Sequence, residues 1–287
     1  MITCTECATD NLSPLKDECM AACPAGTYAN NDVCAPCHKS CASCQANDKE
    51  TSCTACYPGP SLLYGVGGAT GTCVKECTGE FGANCADGQC TADVGGAKYC
   101  AQCKDGYAPI DGVCTAVTTG RDASMCTAAG GKCTACKGSY ALISGGCYGT
   151  QKLPGSAVCT AASNGDCSAC ANGQQSSGKA CPACPAGCSK CTGSAPSQQC
   201  SECLSGYYKS ETKCAKYDVS NGGIVGVFGC VSCAPPPSNT GSVLCYLMRG
   251  GNNTNGNINK NVLITGAIVD ISVMAIVVGG LVSFLCR

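Results

Sequence analysis

Apolar residues are short-ranged and scattered along this chain until residues 262–286, a continuous apolar run broken by one charge, Asp270. About 20 such residues cross the hydrocarbon core of a bilayer as a helix, so the run predicts a membrane-spanning segment. It holds fourteen Leu, Ile, Val and Phe. Their summed insertion preference outweighs the roughly +3 kcal/mol cost of a central Asp. Ala275, Gly279 and Ser283 form a small-xxx-small face suited to helix-mediated self-association. Upstream no helical period is present, and the hydrophobic positions occur in four- to eight-residue pieces. In Tyr107-Ala-Pro-Ile-Asp-Gly-Val-Cys114 the Asp-Gly pair is the favoured two-residue turn for closing antiparallel strands. Tyr140-Ala-Leu-Ile-Ser-Gly-Gly-Cys147, Tyr207-Tyr-Lys-Ser-Glu-Thr-Lys-Cys214 and Tyr28-Ala-Asn-Asn-Asp-Val-Cys34 repeat the form. A leading tyrosine suits it, with an apolar ring face and a hydroxyl left in water.

These hairpins are embedded in a repeat written in cysteines. The triplet C-x2-C-x10-C occurs at Cys100/Cys103/Cys114, Cys133/Cys136/Cys147, Cys167/Cys170/Cys181 and Cys200/Cys203/Cys214, in copies starting 33, 34 and 33 residues apart. A second pattern, C-x2-C-x3-C-x2-C-x8-C-x2-C, fits residues 34–56 and again 181–203. Eleven CxxC motifs in register define tandem modules.

Composition sharpens this. Thirty-five of 287 residues are cysteine, 34 of them before the apolar run, and upstream of Asn261 there are only 28 Leu, Ile, Val and Phe. So few large apolar side chains cannot pay for ordering some 260 residues, and cross-links must supply the difference. The even number upstream predicts complete pairing in seventeen bridges. Net charge is −1 with scattered lysines, which excludes nucleic acid as a partner. The single histidine, His38, reads as a solvated loop residue and removes His-based catalysis.

A CxxC motif serves as a redox dithiol, as half of a zinc site or as structure. A redox motif stands alone at a helix N-terminus near a βαβ unit, and nothing here has that setting. Zinc is the stronger competitor, because paired CxxC motifs build Cys4 tetrahedra. Cys34/Cys37 with Cys53/Cys56, and Cys181/Cys184 with Cys200/Cys203, have the spacing. No cofactor is required, but a zinc ion in those two sets is the alternative to disulfides. Asn252-Asn253-Thr254 is a glycosylation sequon in a polar stalk.

Each C-x2-C-x10-C unit resembles the end of an EGF-like module, where the second CxxC cysteine bonds to the one closing the hairpin. The resemblance implies pairing of Cys103 with Cys114, Cys136 with Cys147 and Cys203 with Cys214. From Gly226 onward the chain resembles the variant-specific surface proteins of the intestinal parasite Giardia. The likeness lies in Gly226-Val-Phe-Gly-Cys-Val-Ser-Cys233, Pro235-Pro-Pro-Ser238, Val243-Leu-Cys-Tyr-Leu-Met248 and Val277-Val-Gly-Gly-Leu-Val-Ser-Phe-Leu-Cys286. Gly145-Gly-Cys-Tyr148 is similar to that family's GGCY tetrapeptide. The resemblance implies a dense protease-resistant coat whose members replace one another so that host antibodies lose their target. Metal binding through cysteines is also attributed to the family.

Two departures stand out. Met1 is followed at once by Ile2-Thr3-Cys4 rather than by a signal peptide, and the chain stops at Cys286-Arg287 rather than in the family's Cys-Arg-Gly-Lys-Ala tail. Cys286 matches either the tail cysteine, which the family lipidates, or the cysteine before the aromatic stretch, and a truncated copy is the expectation.

The expected fold is small and disulfide-rich: tandem β-hairpin modules of EGF- and furin-like cysteine-rich type over residues 1–250, a polar stalk at 251–261, a transmembrane helix at 262–286 and a cytoplasmic stub at 287. The expected function is a variant surface antigen without enzymatic activity, single-pass type I in the plasma membrane, its cysteine-rich part outside. Its partners are host antibodies and the lipid bilayer. Loops such as 115–121 and 151–158 would form the replaceable antigenic surface. Two rivals stand beside this: a high-cysteine membrane protein with a receptor-like or adhesive ectodomain, and a tail-anchored cytosolic CxxC protein held by zinc.

Overall fold

Two-residue turns set the local architecture. The structure, a computed structural model of the chain, describes residues 4–117, 125–236 and 240–248. Strands Tyr107–Ile110 and Val113–Ala116 pair antiparallel around Asp111 and Gly112, at φ 48° and 84°. Both values lie in the left-handed region that a type I′ turn requires. Tyr140–Ile143 with Gly146–Gly149 turns on Ser144-Gly145, and Thr27–Asn30 with Val33–Pro36 on Asn31-Asp32, in the same way. Tyr207–Ser210 pairs with Lys213–Lys216 around Glu211. Tyr28, Tyr107, Tyr140 and Tyr207 at the starts of these hairpins are all half-buried, as amphipathic side chains are.

A second kind of hairpin alternates with the first and is built from the CxxC segments themselves. Cys41–Cys44 pairs with Cys53–Cys56, Cys126–Ala129 with Lys132–Cys136, Cys159–Ser163 with Asp166–Cys170, Cys188–Thr192 with Gln199–Cys203, and Cys230–Ala234 with Leu244–Met248. Every one of these ladders shifts register within a CxxC segment. The shift has a physical reason. Residues three apart on a regular strand point to opposite faces, whereas a bulge inserts one residue and returns both to the same face. Two intervening residues are therefore what a bulged strand needs to put both sulfurs on one side.

Neighbouring modules join by backbone. Ile110 pairs in parallel with Cys147, the Asp111 N–H donates to the Cys147 carbonyl at 2.9 Å, and the Gly149 N–H donates to Asp111 Oδ1 at 2.7 Å. The result is a four-stranded sheet in which the turn of one hairpin is stitched to the strand of the next. Cys41–Cys44, Cys53–Cys56, Gly71–Val74 and Ser61–Tyr64 form another, in that order. Helical structure among the described residues is limited to 3-10 turns at Glu50–Ser52, Gly79–Phe81 and Gly155–Ala157.

The core is divided into small clusters, several made of sulfur. Cys188, Cys191 and Cys200 form one with Cys184 and Cys214, and Cys100, Cys103 and Cys114 another. The module array also folds back on itself. Val231, Tyr246 and Leu247 of the last module bury against Ala42 and Tyr57, with Leu15 and Met20 at the edge. The Tyr246 hydroxyl donates to Glu18 Oε1 at 2.6 Å. The loop at 151–158 is held in its middle, where Pro154 and Gly155 are buried and the Leu153 N–H donates to the Tyr64 hydroxyl at 3.0 Å. Gln151, Lys152 and Ala157 of the same loop are exposed.

Among the described residues no helix is long and apolar enough to cross a membrane. Residues 262–286, with the self-association face, the stalk, the sequon at Asn252 and the lipidation candidate Cys286, lie outside the described residues.

Candidate functional site: a ladder of disulfides

Sixteen disulfides join described residues to one another. Nine of them follow one rule. In four of the five CxxC hairpins the first cysteine faces the last directly across the ladder, as Cys41 faces Cys56, Cys126 faces Cys136, Cys159 faces Cys170 and Cys188 faces Cys203, whereas Cys230 of the last faces Met248. None of these facing pairs is bonded. The first cysteine bonds diagonally instead, giving Cys41–Cys53, Cys126–Cys133, Cys159–Cys167 and Cys188–Cys200. The last cysteine is left to bond forward along the chain, giving Cys56–Cys73, Cys136–Cys147, Cys170–Cys181 and Cys203–Cys214. Cys103–Cys114 is the same forward bond one module earlier. Each forward bond except Cys170–Cys181, whose loop holds only an isolated bridge between Ser177 and Ala180, closes a hairpin that would be marginal alone.

The ladder leaves the zinc sets with no thiolate. Cys34 bonds to Cys23, Cys37 to Cys44, Cys53 to Cys41 and Cys56 to Cys73. Cys181 bonds to Cys170, Cys184 to Cys191, Cys200 to Cys188 and Cys203 to Cys214. A zinc ligand must be a free thiolate, so a sulfur already in a disulfide does not fit the ion. The sulfurs that do converge are grouped differently. Cys100/Cys103/Cys114, Cys126/Cys133/Cys147, Cys167/Cys170/Cys181 and Cys188/Cys200/Cys214 each lie within 4.8 Å of one another. Every such group is two disulfides in contact, one diagonal or preceding and one forward.

Redox chemistry finds no ordinary footing either. In every CxxC motif between residues 34 and 203 the two cysteines bond to different partners, whereas a redox dithiol closes on itself. Cys233 is a free thiol, buried in the cluster of Tyr208, Ile224, Cys230 and Val243, and burial pushes its pKa well above the ordinary thiol range. Complete pairing upstream of the apolar run is therefore corrected at Cys233. The module register explains it. Cys233 faces Cys245 as Cys44 faces Cys53 and Cys191 faces Cys200. Those two counterparts bond to Cys37 and Cys184, four residues before the first cysteine of their hairpins. In the last module that position is Gly226, whose Cα packs on the Val219 backbone so closely that a Cβ has no room.

His38 is a loop residue whose Nδ1 hydrogen-bonds the Ser40 hydroxyl at 2.8 Å. A cavity of about 200 Å³ lies between Tyr57, Leu62, Tyr99, Leu153, Pro154 and Leu204. It is smaller than the roughly 300–1,000 Å³ of small-molecule sites. What the geometry defines is a cross-linked scaffold, a cysteine-stapled surface module of the extracellular type.

The chain matches the family model of the Giardia variant-specific surface proteins over residues 1–166 and again over 160–287, and it belongs to that family. It is 38% identical over 325 aligned positions to the major surface-labeled trophozoite antigen 417 of Giardia intestinalis, covering 99% of this chain and 44% of the relative. The chain thus spans less than half the length of that relative. A shorter likeness, 35% over 127 positions, is to the human extracellular matrix organizing protein FRAS1, covering 39% of this chain and 3% of that protein. No solved structure matches. The chain is a variant surface antigen of a cell-surface family, which overturns the cytosolic reading.

Proposed function

We propose that the cysteine-rich part forms a protease-resistant, antigenically replaceable coat without catalytic activity. Host antibodies are its partners, and residues 262–286 anchor it as a single-pass type I segment in the bilayer. The observation that carries this reading is the ladder itself. Disulfides follow one another from Cys41 to Cys214, diagonal and forward bonds recurring along the stretch, and the free thiol Cys233 is buried. Such a scaffold resists cleavage because a protease needs a locally opened segment and each segment is closed by a short covalent loop.

Reduction and alkylation should abolish conformational antibody binding and protease resistance together. Antibody binding that survived full reduction, or a purified ectodomain that turned over a disulfide substrate at enzyme-like rates, would remove the coat reading.

A further inference from the structure

Large apolar side chains exposed on the described surface are few: Val66, Val219, Val225 and Phe228. Val66 stands alone at the tip of the turn between Ser61–Tyr64 and Gly71–Val74. The other three fall within ten residues of one another in the last module. Phe228 is 90% exposed, Val219 53% and Val225 47%. Gly226 packs directly on the Val219 backbone, which holds Val219 beside the Val225–Phe228 segment. The Cys230 N–H donates to the Val227 carbonyl at 3.0 Å, and Gly229 has φ 78°. Those are the marks of a tight turn with glycine at its third position, and it presents Phe228 at the corner.

The placement of that corner gives the patch its meaning. Cys230 pairs with Met248 across the ladder, and the Cys230–Cys245 disulfide fixes the two strands together. The Met248 methyl lies against Gly229. The exposed Phe228 therefore sits where the described chain ends and continues toward residues 262–286. The thirteen residues between, 249–261, reach at most about 45 Å when fully extended. From Val219 to Ala234 no residue is charged, so nothing in the segment opposes contact with an apolar phase. An exposed cluster of this kind marks an interaction surface rather than ordinary surface scatter.

We propose that Phe228, Val225 and Val219 form a membrane-interface contact that seats the last module on the lipid surface, resting on the reading of residues 262–286 as the anchor. The side chains dip to the level of the headgroups. The contact fixes how the module array leaves the membrane.

The chain has no tryptophan, which makes a direct test available. Single-Trp variants Phe228→Trp, Val66→Trp and Phe284→Trp of the full chain are reconstituted in phosphatidylcholine vesicles, with and without shallow-brominated acyl chains. Phe228→Trp should show blue-shifted emission and lose intensity in the brominated vesicles, whereas Val66→Trp should do neither. Quenching of Phe284→Trp reports the anchor separately. If Phe284→Trp is quenched and Phe228→Trp is not, the interface contact is wrong and the anchor stands. A blue shift at Phe228→Trp without quenching would mean contact between copies of the chain, which also overturns the proposal. Quenching at neither position removes both readings, and quenching at Phe228→Trp alone keeps the contact and removes the anchor.

Discussion

Replacing Cys114 by serine opens one module and places a reactive thiol against a neighbouring bond. Cys103–Cys114 closes a loop with a sequence separation of 11. Loop-closure entropy for that length is worth about 2.8 kcal/mol at 25 °C. A loss of that size raises the locally open population about 100-fold, because 1.4 kcal/mol is a factor of ten. The freed Cys103 sulfur lies within 4.8 Å of Cys100, which is bonded to Cys85. Attack by the Cys103 thiolate on the Cys100 sulfur forms Cys100–Cys103 and expels Cys85 as thiolate, the ordinary course of thiol–disulfide exchange. Limited proteolysis should therefore show cleavage near residues 100–125 accelerated about 100-fold. Alkylation mapping should find Cys85 labelled as well as Cys103. The double variant Cys103→Ser/Cys114→Ser should show the same cleavage with no label at Cys85. Distant hairpins such as Cys188–Thr192 with Gln199–Cys203 should stay resistant, since modules contact mainly their neighbours. Cuts spread evenly along the chain, or an acceleration below tenfold, would refute the modular reasoning.

Two further outcomes follow from the buried polar groups. Tyr246→Phe removes the hydroxyl bond to Glu18, which is itself exposed, so the cost should be about 1 kcal/mol. Hydrogen exchange should quicken at Asn11–Leu12 and Cys19–Met20, and unchanged protection there would mean that the first and last modules are not docked. Burial raises the pKa values of Cys233, Tyr148, Tyr217 and Tyr246 in the folded chain. Groups raised in this way stabilise fully below their unfolded values, about 8.5 for Cys and about 10 for Tyr, and lose that contribution as pH rises. The urea midpoint should hold from pH 6 to 8 and fall between 9 and 11, and a flat profile would contradict the burial of these groups.

The tyrosine-led hairpins were readable because their determinants are local. Asp111-Gly112 fixes a turn wherever it stands, and the flanking strands need only four residues each. The CxxC hairpins escaped the same reading because a spacing of three breaks the alternation by which strands are found, and the bulge that restores it is a property of the paired strands. A signal was nevertheless available in the register of the second cysteine pattern. Laid over residues 34–56 and 181–203, the last module carries Gly226 and Met248 where those copies carry Cys37/Cys184 and Cys56/Cys203. Counting cysteines to an even number hid that gap at Cys233, and aligning the modules exposes it. The docking of Tyr246 on Glu18 joins residues 228 apart, and no local pattern encodes such a contact.

The way sulfur is distributed also explains how a surface antigen of this family can vary. In Cys126–Ala129 with Lys132–Cys136 the buried positions are Cys126, Cys133 and Cys136. In Cys159–Ser163 with Asp166–Cys170 they are Cys159 and Cys167, and in Cys188–Thr192 with Gln199–Cys203 they are Cys188, Cys191 and Cys200. No other side chain in these three hairpins is buried, and apart from cysteine only Ala128 and Ala162 pack half-buried against the clusters, so packing imposes little demand on the rest. A substitution at an exposed site away from a cap or special backbone geometry usually changes stability by no more than about 0.5 kcal/mol. An ordinary sheet protein lacks this freedom, because half of each strand must match a core and a change there costs several times as much. Here the cross-links carry the fold and the turn residues carry the register, leaving the outward residues of each hairpin free to change together. Antigenic replacement then needs no new fold for each new surface.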